Sequence, residues 1–141
     1  MILADVNVLI YAFRTDSPDH GRYREWLETV VNGAAPYAAS PQVLASLIRI
    51  CTHRRIFREP DALDLTLQFA AALMAPARCH VVQPGPAHWE IFSKLCRDCR
   101  VTGNLVQDAW FAALAIESGC EWITTDRDYA RFEGLTWRTP F

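Results

Sequence analysis

The sequence predicts an α/β domain in which a mostly parallel sheet is covered by helices on both faces. Two observations lead to this fold class. Short apolar segments that read as strands alternate with longer segments whose apolar residues recur at helical spacing. The 141 residues also contain no linker, internal repeat or low-complexity segment, and their number suits one domain. We therefore expect residues 1–141 to form a single domain.

Each predicted element has a start or stop signal. The predicted strands are residues 1–4, 37–39, 79–83, 121–125 and 135–139. The predicted helices are residues 6–13, a segment opened by 17–19 and stopped by Gly33, then 41–51, 62–75, 89–101 and 105–118. Ser40 followed by Pro41 starts the third helix, Pro60 and Asp61 cap the fourth, and Gly119 ends the last.

Composition excludes several classes of protein. The longest apolar stretch, residues 69–75, is far too short to cross a bilayer, and no basic segment precedes the first apolar residues. Five cysteines without framework spacing predict a reducing compartment, so we expect a cytoplasmic protein. The net charge of −2 does not indicate nucleic-acid binding by the whole molecule, although acids gathered around a metal ion mask cations elsewhere.

Acidic residues stand at three places where a strand ends or an apolar helix begins. Asp5 follows the first strand, and Asp108 lies inside an apolar helix. Asp126 and Asp128 come just after the apolar pair Trp122 and Ile123. Open parallel sheets bind ligands at the carboxyl ends of their strands. Carboxylates gathered there repel one another unless a cation holds them. The spacing therefore predicts a shared cation site.

Asp5 and the late acids also have structural alternatives. Asp5 can cap the helix that starts at Val6, with Asn7 capping as well or holding Asp5 in place. Asp126 and Asp128 can build a turn, or pair with Arg127 or Arg131.

For Asp108 the alternative is a helix cap. Asn104 is the better N-cap, with Gln107 completing a box-like pair, so we expect Asp108 to point toward whatever the helix packs on.

Four segments in this order resemble the PIN domain, and more narrowly the VapC toxins of bacterial toxin–antitoxin pairs. They read ADVNVLIYAF, VLASLIRICTHRRIF, GNLVQDAWFAALAIESG and ITTDRDYARFEGL, and span nearly the whole chain. The resemblance implies a three-layer PIN-like fold and an endoribonuclease that depends on Mg²⁺ or Mn²⁺. It also implies a structured RNA substrate (tRNA or rRNA), a homodimer, and neutralisation by a small cognate antitoxin.

Carried over by position, the resemblance implies that Asp5, Asp108 and Asp126 are the catalytic, metal-binding residues, with Asp128 less firmly matched. One position departs from the family. The resemblance implies a glutamate, which relatives usually have, where this chain has Ser46, followed by Arg49. Serine supplies no negative charge, so one Mg²⁺ with several waters fits better than a two-metal clamp. Asn7, Ser46 and Asp128 are the expected supporting residues, and Glu90 is another acid that can compensate.

Two other functions remain open at this point. A haloacid-dehalogenase-type phosphatase also has an acid after its first strand, but Asn7 replaces its second acid and only Lys94 can supply its lysine. A PIN-like RNA-binding module that lost activity with the missing glutamate is the other alternative.

Three further features have less specific interpretations. Cys96 and Cys99 lie inside a predicted helix without a second pair, which argues against zinc. The basic patch either contacts RNA phosphates, pairs with an acidic antitoxin or is solvated; it comprises Arg54, Arg55 and Arg58. Residues 69–75 fill the core or form a partner surface.

Overall fold

Five parallel strands form one sheet in the computed structural model, which describes residues 1–141, and the α/β prediction is confirmed. The strands are β1 (Ile2–Ala4), β2 (Tyr37–Ala39), β3 (Cys79–Val81), β4 (Glu121–Ile123) and β5 (Trp137–Arg138). The helices are α1 (Val6–Phe13), α2 (His20–Asn32), α3 (Pro41–Cys51), α4 (Leu63–Met74), α5 (His88–Cys99) and α6 (Asn104–Ser118). A 3₁₀ helix (Arg127–Arg131) follows β4.

The strand order, β3-β2-β1-β4-β5, puts the first strand at the centre of the sheet. The chain adds β2 and β3 on one side of β1 and then crosses to add β4 and β5 on the other. This reversal makes the crevice at the carboxyl ends of β1 and β4 the topological switch point, where open α/β sheets bind ligands. Ala4 pairs with Ile123, so the next residues, Asp5 and Thr124, leave the sheet side by side.

Helices cover both faces of this sheet, as the three-layer prediction requires. Right-handed crossovers put α1 to α4 on one face and α5 and α6 on the other. The helix contacts agree, because α1 packs on α2 and α3, α3 packs on α4, and α5 packs on α6. Helix α6 is apolar on most sides because it is buried in the core, where residues 111–115 have almost no exposed surface.

Two predicted helix caps are wrong. Asn104 is the first residue of α6 and not its cap; Gly103 precedes the helix with φ of 60°, a left-handed conformation that glycine adopts without strain. Asp61 does not cap α4, whose N-cap is Ala62 without a side-chain hydrogen bond. The Asp61 carboxylate pairs instead with the guanidinium of Arg14, at 2.5 Å.

The apolar run 69–75 is divided between core and surface. Ala70 and Leu73 are buried, whereas Ala71 and Ala72 are exposed. The first turns of α4 also expose three leucines: Leu63, Leu65 and Leu67. All five cysteines are free thiols. None of the helices combines the length and the apolar character that crossing a bilayer requires.

Candidate active site

A cleft of about 200 Å³ opens at the switch point, between the carboxyl ends of the central strands and helices α1, α3 and α6. The structure brings Asp5, Asp108 and Asp126 together in its wall, as the sequence predicted. The lining residues are Asp5, Val6, Asn7, Ile10, Ser46, Arg49, Ile50, Gln107, Asp108, Phe111, Asp126 and Tyr129. A second cavity lies between β1, β2 and α2 and is lined almost entirely by apolar residues. It is too small to hold more than a water molecule.

Asp5 is the deepest of the three carboxylates and is only 5% exposed. It caps α1, because its Oδ1 accepts a hydrogen bond from the Val6 N–H at 2.6 Å. Its Oδ2 accepts a second hydrogen bond from the Thr124 hydroxyl, at 2.5 Å. Burial raises the pKa of Asp5 to about 7, against these two hydrogen bonds, and the carboxylates of Asp108 and Asp126 raise it as well. Asp5 therefore both caps α1 and lines the cleft.

Thr124 is a site residue that the sequence analysis missed. Its side chain is fully buried at the end of β4. Besides donating to Asp5, the hydroxyl oxygen accepts from the Asp126 N–H at 3.0 Å and from the Asn7 side-chain amide at 3.4 Å. One hydroxyl thus fixes the relative positions of three polar residues of the cleft. The sequence feature that could have indicated this role is a threonine directly after an apolar strand.

Asp108 lies in the second turn of α6 and is half-buried. Its Oδ1 accepts a hydrogen bond from the Tyr129 hydroxyl at 3.4 Å. Burial and the neighbouring Asp126 raise the pKa of Asp108, and this hydrogen bond partly opposes them. Tyr129, which the sequence analysis also missed, is buried in the 3₁₀ helix and has a raised pKa because of its burial and the nearby carboxylates. It therefore orients Asp108 as a neutral phenol.

The two late aspartates have different surroundings. Asp126 lines the cleft, and its Oδ1 caps the 3₁₀ helix by accepting the Asp128 N–H at 2.8 Å. Asp128 is exposed, does not line the cleft, and pairs with Arg131 at 2.8 Å. The salt bridge offered as the structural alternative is thus present for Asp128. Asp126 still has its second carboxylate oxygen free of hydrogen bonds within the chain.

The other two supporting residues, Asn7 and Ser46, both line the cleft. The Asn7 amide donates to Thr124, while its Oδ1 atom is buried and has no hydrogen-bond partner. A buried acceptor without a donor costs about 1–3 kcal/mol, so a water or other donor is expected beside it. Ser46 stands on α3 at the position of the missing glutamate, and Arg49 lies one turn further along the same helix.

These residues fit a hydrated divalent cation. Three carboxylates and an unsatisfied amide oxygen are hard oxygen donors of the kind that Mg²⁺ prefers. No ion pair within the chain neutralises Asp5, Asp108 or Asp126. At the same time, no three acidic, histidine or cysteine side chains converge closely enough to enclose an ion by themselves. The donor set therefore suits an ion that keeps several of its waters, as Mg²⁺ does in such sites.

Other candidate residues lie away from the cleft. Glu90 is exposed on α5 and is not part of the lining. The thiol of Cys99 donates to the backbone oxygen of Arg131, at 3.2 Å, so the Cys96–Cys99 pair does not face a common ligand site. The exposed arginines after α3 form no ion pair; they are Arg54, Arg55 and Arg58.

The chain is similar in sequence to a known protein family and to individual proteins. The model of the PIN domain family matches residues 2–135. Ribonuclease VapC43 of Mycobacterium tuberculosis is 41% identical over 140 residues, which cover 99% of this chain and 95% of that protein.

Two solved structures share the fold at low sequence identity. A chain of the VapBC2 complex of Rickettsia felis, bound to a DNA fragment from its promoter, has a TM-score of 0.70 at 19% identity, covering 99% of this chain and 98% of that chain. Mycobacterium tuberculosis VapC20, described as a sarcin-ricin loop cleaving toxin, has a TM-score of 0.63 at 16% identity, covering 96% of this chain and 99% of that chain.

Proposed function

The chain belongs to the PIN domain family, and from that premise we propose that it is a Mg²⁺-dependent endoribonuclease that acts as the toxin of a toxin–antitoxin pair. One observation supports this most: three aspartates from distant parts of the sequence line one cleft, and none of them forms an ion pair within the chain. The relative that is 41% identical is named a ribonuclease.

The cleft residues have distinct tasks in this proposal. Asp5 and Asp108 hold the cation, directly or through water, and Asp126 completes the site or positions the attacking water. A bound Mg²⁺ or Mn²⁺ supplies positive charge for the transition state and lowers the pKa of a water molecule. Thr124 and Tyr129 keep the carboxylates of Asp5 and Asp108 in place through their hydroxyl groups.

The substrate and partners follow from the same relatives. One structural neighbour is described as cleaving the sarcin-ricin loop, and another is a complex named VapBC2. We propose that this chain likewise cuts a structured RNA, tRNA or rRNA, acts as a homodimer, and binds a small cognate antitoxin. The three leucines that α4 exposes are apolar surface of the kind that protein partners cover; they are Leu63, Leu65 and Leu67.

A phosphatase of the haloacid-dehalogenase type has less support. Its lysine could only be Lys94, and this side chain is exposed on α5 and pairs with Asp98 at 2.5 Å. Lys94 is not among the residues that line the cleft. The inactive binding module is the remaining alternative, because Ser46 removes one carboxylate from the site.

The test is incubation of the pure protein with total bacterial RNA, with and without Mg²⁺, followed by mapping of new RNA ends. The proposal expects defined new ends only when Mg²⁺ is present. Asp108→Asn is the matched control, because it removes the charge with almost no change of shape. RNA binding without any metal-dependent ends would favour the inactive module, and hydrolysis of an aryl phosphate would favour the phosphatase.

A further inference from the structure

Arg49 is the one cationic side chain among the residues that line the cleft. The rest of the lining is acidic, neutral polar or apolar. With three aspartates and a phosphodiester in the same space, the cleft stays net negative even after one divalent cation binds. A residue that adds positive charge there lowers the repulsion that an incoming RNA phosphate meets.

The charge of Arg49 is not used inside the chain. Its side chain is exposed and forms no ion pair. Other arginines of the chain do form ion pairs with carboxylates: Arg14, Arg24, Arg131 and Arg138. The guanidinium of Arg49 is therefore available to an external anion.

The residue beside Arg49 on its helix face carries no charge that could pair with it. Residues three apart on a helix are neighbours, so Ser46 and Arg49 share the face of α3 that borders the cleft. The uncharged Ser46 leaves the guanidinium of Arg49 without an ion-pair partner on this face.

A side-chain hydrogen bond links the helix that carries Arg49 to the helix that carries Asp108. Helix α3 is capped by Ser40, whose hydroxyl accepts from the Gln42 N–H, and it begins with Pro41. The Gln42 side chain in turn accepts a hydrogen bond from the Trp110 indole of α6, at 2.8 Å. This bond ties the helix of Arg49 to the helix of Asp108, so the two walls of the cleft cannot drift apart freely.

We propose that Arg49 is a substrate-binding residue of the cleft, whose guanidinium contacts the non-bridging oxygens of the scissile phosphate. This inference rests on the proposed ribonuclease function. The planar guanidinium offers two parallel N–H donors that match two phosphate oxygens, and charge-assisted bonds of this kind are the strong ones. Arg49 thereby supplies positive charge beside the phosphate from α3.

Single-turnover cleavage of an RNA that the wild-type protein cuts provides the first test. Arg49→Ala should lower the cleavage rate by about 100-fold, the usual loss when one donor to a transition-state oxyanion is removed. The cleavage rate of Arg49→Lys should lie between those of the wild type and Arg49→Ala, because lysine keeps the charge but loses the paired donors. Arg78→Ala is the matched control, since Arg78 is exposed at the amino end of β3, on the opposite edge of the sheet. Equal rates for Arg49→Ala and Arg78→Ala would overturn the inference.

Binding measured without metal provides the second test and does not depend on activity. Fluorescently labelled bulk tRNA is titrated in EDTA with Asp108→Asn and with the double variant Asp108→Asn, Arg49→Ala. The slope of log affinity against log salt concentration should decrease by about 1 in the double variant. An unchanged slope would contradict a phosphate contact by Arg49.

These two tests separate the inference from the proposed function. If the wild-type protein cuts no RNA, the ribonuclease proposal fails, and the tRNA titration still decides whether Arg49 contacts phosphate. If the wild-type protein cuts RNA and Arg49→Ala cuts equally fast, only the inference about Arg49 fails. Melting curves measure whether the variants fold. We expect them to match the wild type, because Arg49 forms no ion pair within the chain.

Discussion

Two groups of carboxylates in this protein have opposite surroundings. In the first, the buried guanidinium of Arg14 pairs with Asp16 at 2.7 Å and with Asp61 at 2.5 Å, and it stacks on Phe57. In the second, the aspartates of the cleft have hydrogen-bond donors but no ion-pair partner. The two groups lie at opposite ends of α1, since Asp5 caps its start and Arg14 follows its last residue.

The difference appears in their pKa values. The hydrogen bond from Arg14 lowers the pKa of Asp16, so this carboxylate is ionised and satisfied within the chain. Burial raises the pKa values of Asp5 and Asp108, so ionisation there is opposed. The first arrangement stabilises the fold by itself. The second leaves its carboxylates without an ion-pair partner in the chain, which is how functional sites commonly differ from structural ones.

Removing one cleft carboxylate should have the largest effect of the changes considered. Asp108→Asn is expected to lower Mg²⁺-dependent RNA cleavage by about 100- to 1,000-fold, because it removes a charge that holds the cation. The fold should remain, since Asp108 makes only one side-chain hydrogen bond, to Tyr129. End-mapping of cleaved RNA and a thermal melt measure both effects. Unchanged cleavage would exclude Asp108 from the site.

Replacing Arg14, the cation of the first group, should lower the stability of the fold and leave cleavage unchanged. Arg14→Met leaves the Asp61 carboxylate partly buried and unpaired. Breaking a buried pair costs about 3–5 kcal/mol; we expect about 2–3 here, because Asp16 is 65% exposed and solvent screens it. Urea unfolding measures this change, and cleavage per folded molecule should stay at the wild-type level. An unchanged free energy of unfolding would show that the cluster does not stabilise the fold.

Mg²⁺ should stabilise the folded protein through the second group. Mg²⁺ at ten times its dissociation constant is expected to add about 1.4 kcal/mol, or a rise in Tm of about 5 °C. The rise should persist in Arg14→Met and disappear in Asp108→Asn. A Tm that does not respond to Mg²⁺ in the wild type, under conditions in which RNA is cleaved, would contradict a cation bound in the folded cleft.

The two groups should respond to pH with opposite sign. The raised pKa of Asp5, about 7, means that its contribution to stability is present below pH 4 and is lost as the pH rises through 7. In EDTA, the Tm should therefore fall between pH 5 and pH 8 in the wild type, and less in Asp5→Asn. Asp16, whose pKa is lowered, contributes stability above its ordinary pKa and loses it as the pH falls. Identical pH profiles for the wild type and Asp5→Asn would show that burial does not hinder ionisation of Asp5.

Local patterns in the sequence predicted most of the fold. The first helix was predicted at its observed limits, and the first strand one residue too long at its start, because an apolar run is interrupted only by Asp5. The cap of α6 and the role of Asp61 were predicted wrongly, since Gly103 can begin a helix in a left-handed conformation and Asp61 finds a partner far along the chain. Strand limits were also too long at β3, β4 and β5.

The candidate site was predictable only in part. Its three aspartates follow from their places at strand ends and in an apolar helix. Thr124 could not be found in this way, because its bond to Asp5 joins residues 119 positions apart and depends on the register of β1 against β4. Tyr129 was missed for a similar reason, since it reaches Asp108 from the 3₁₀ helix.

Crystals of the protein soaked in MnCl₂ test the central claim most directly, because the anomalous signal of manganese locates the ion. The account predicts a peak in the cleft, beside Asp5 and Asp108, that contacts their carboxylates directly or through one water. Asp108→Asn crystals treated in the same way should lose this peak. A saturating soak that leaves the cleft without a peak would contradict the claim that the three aspartates share a cation.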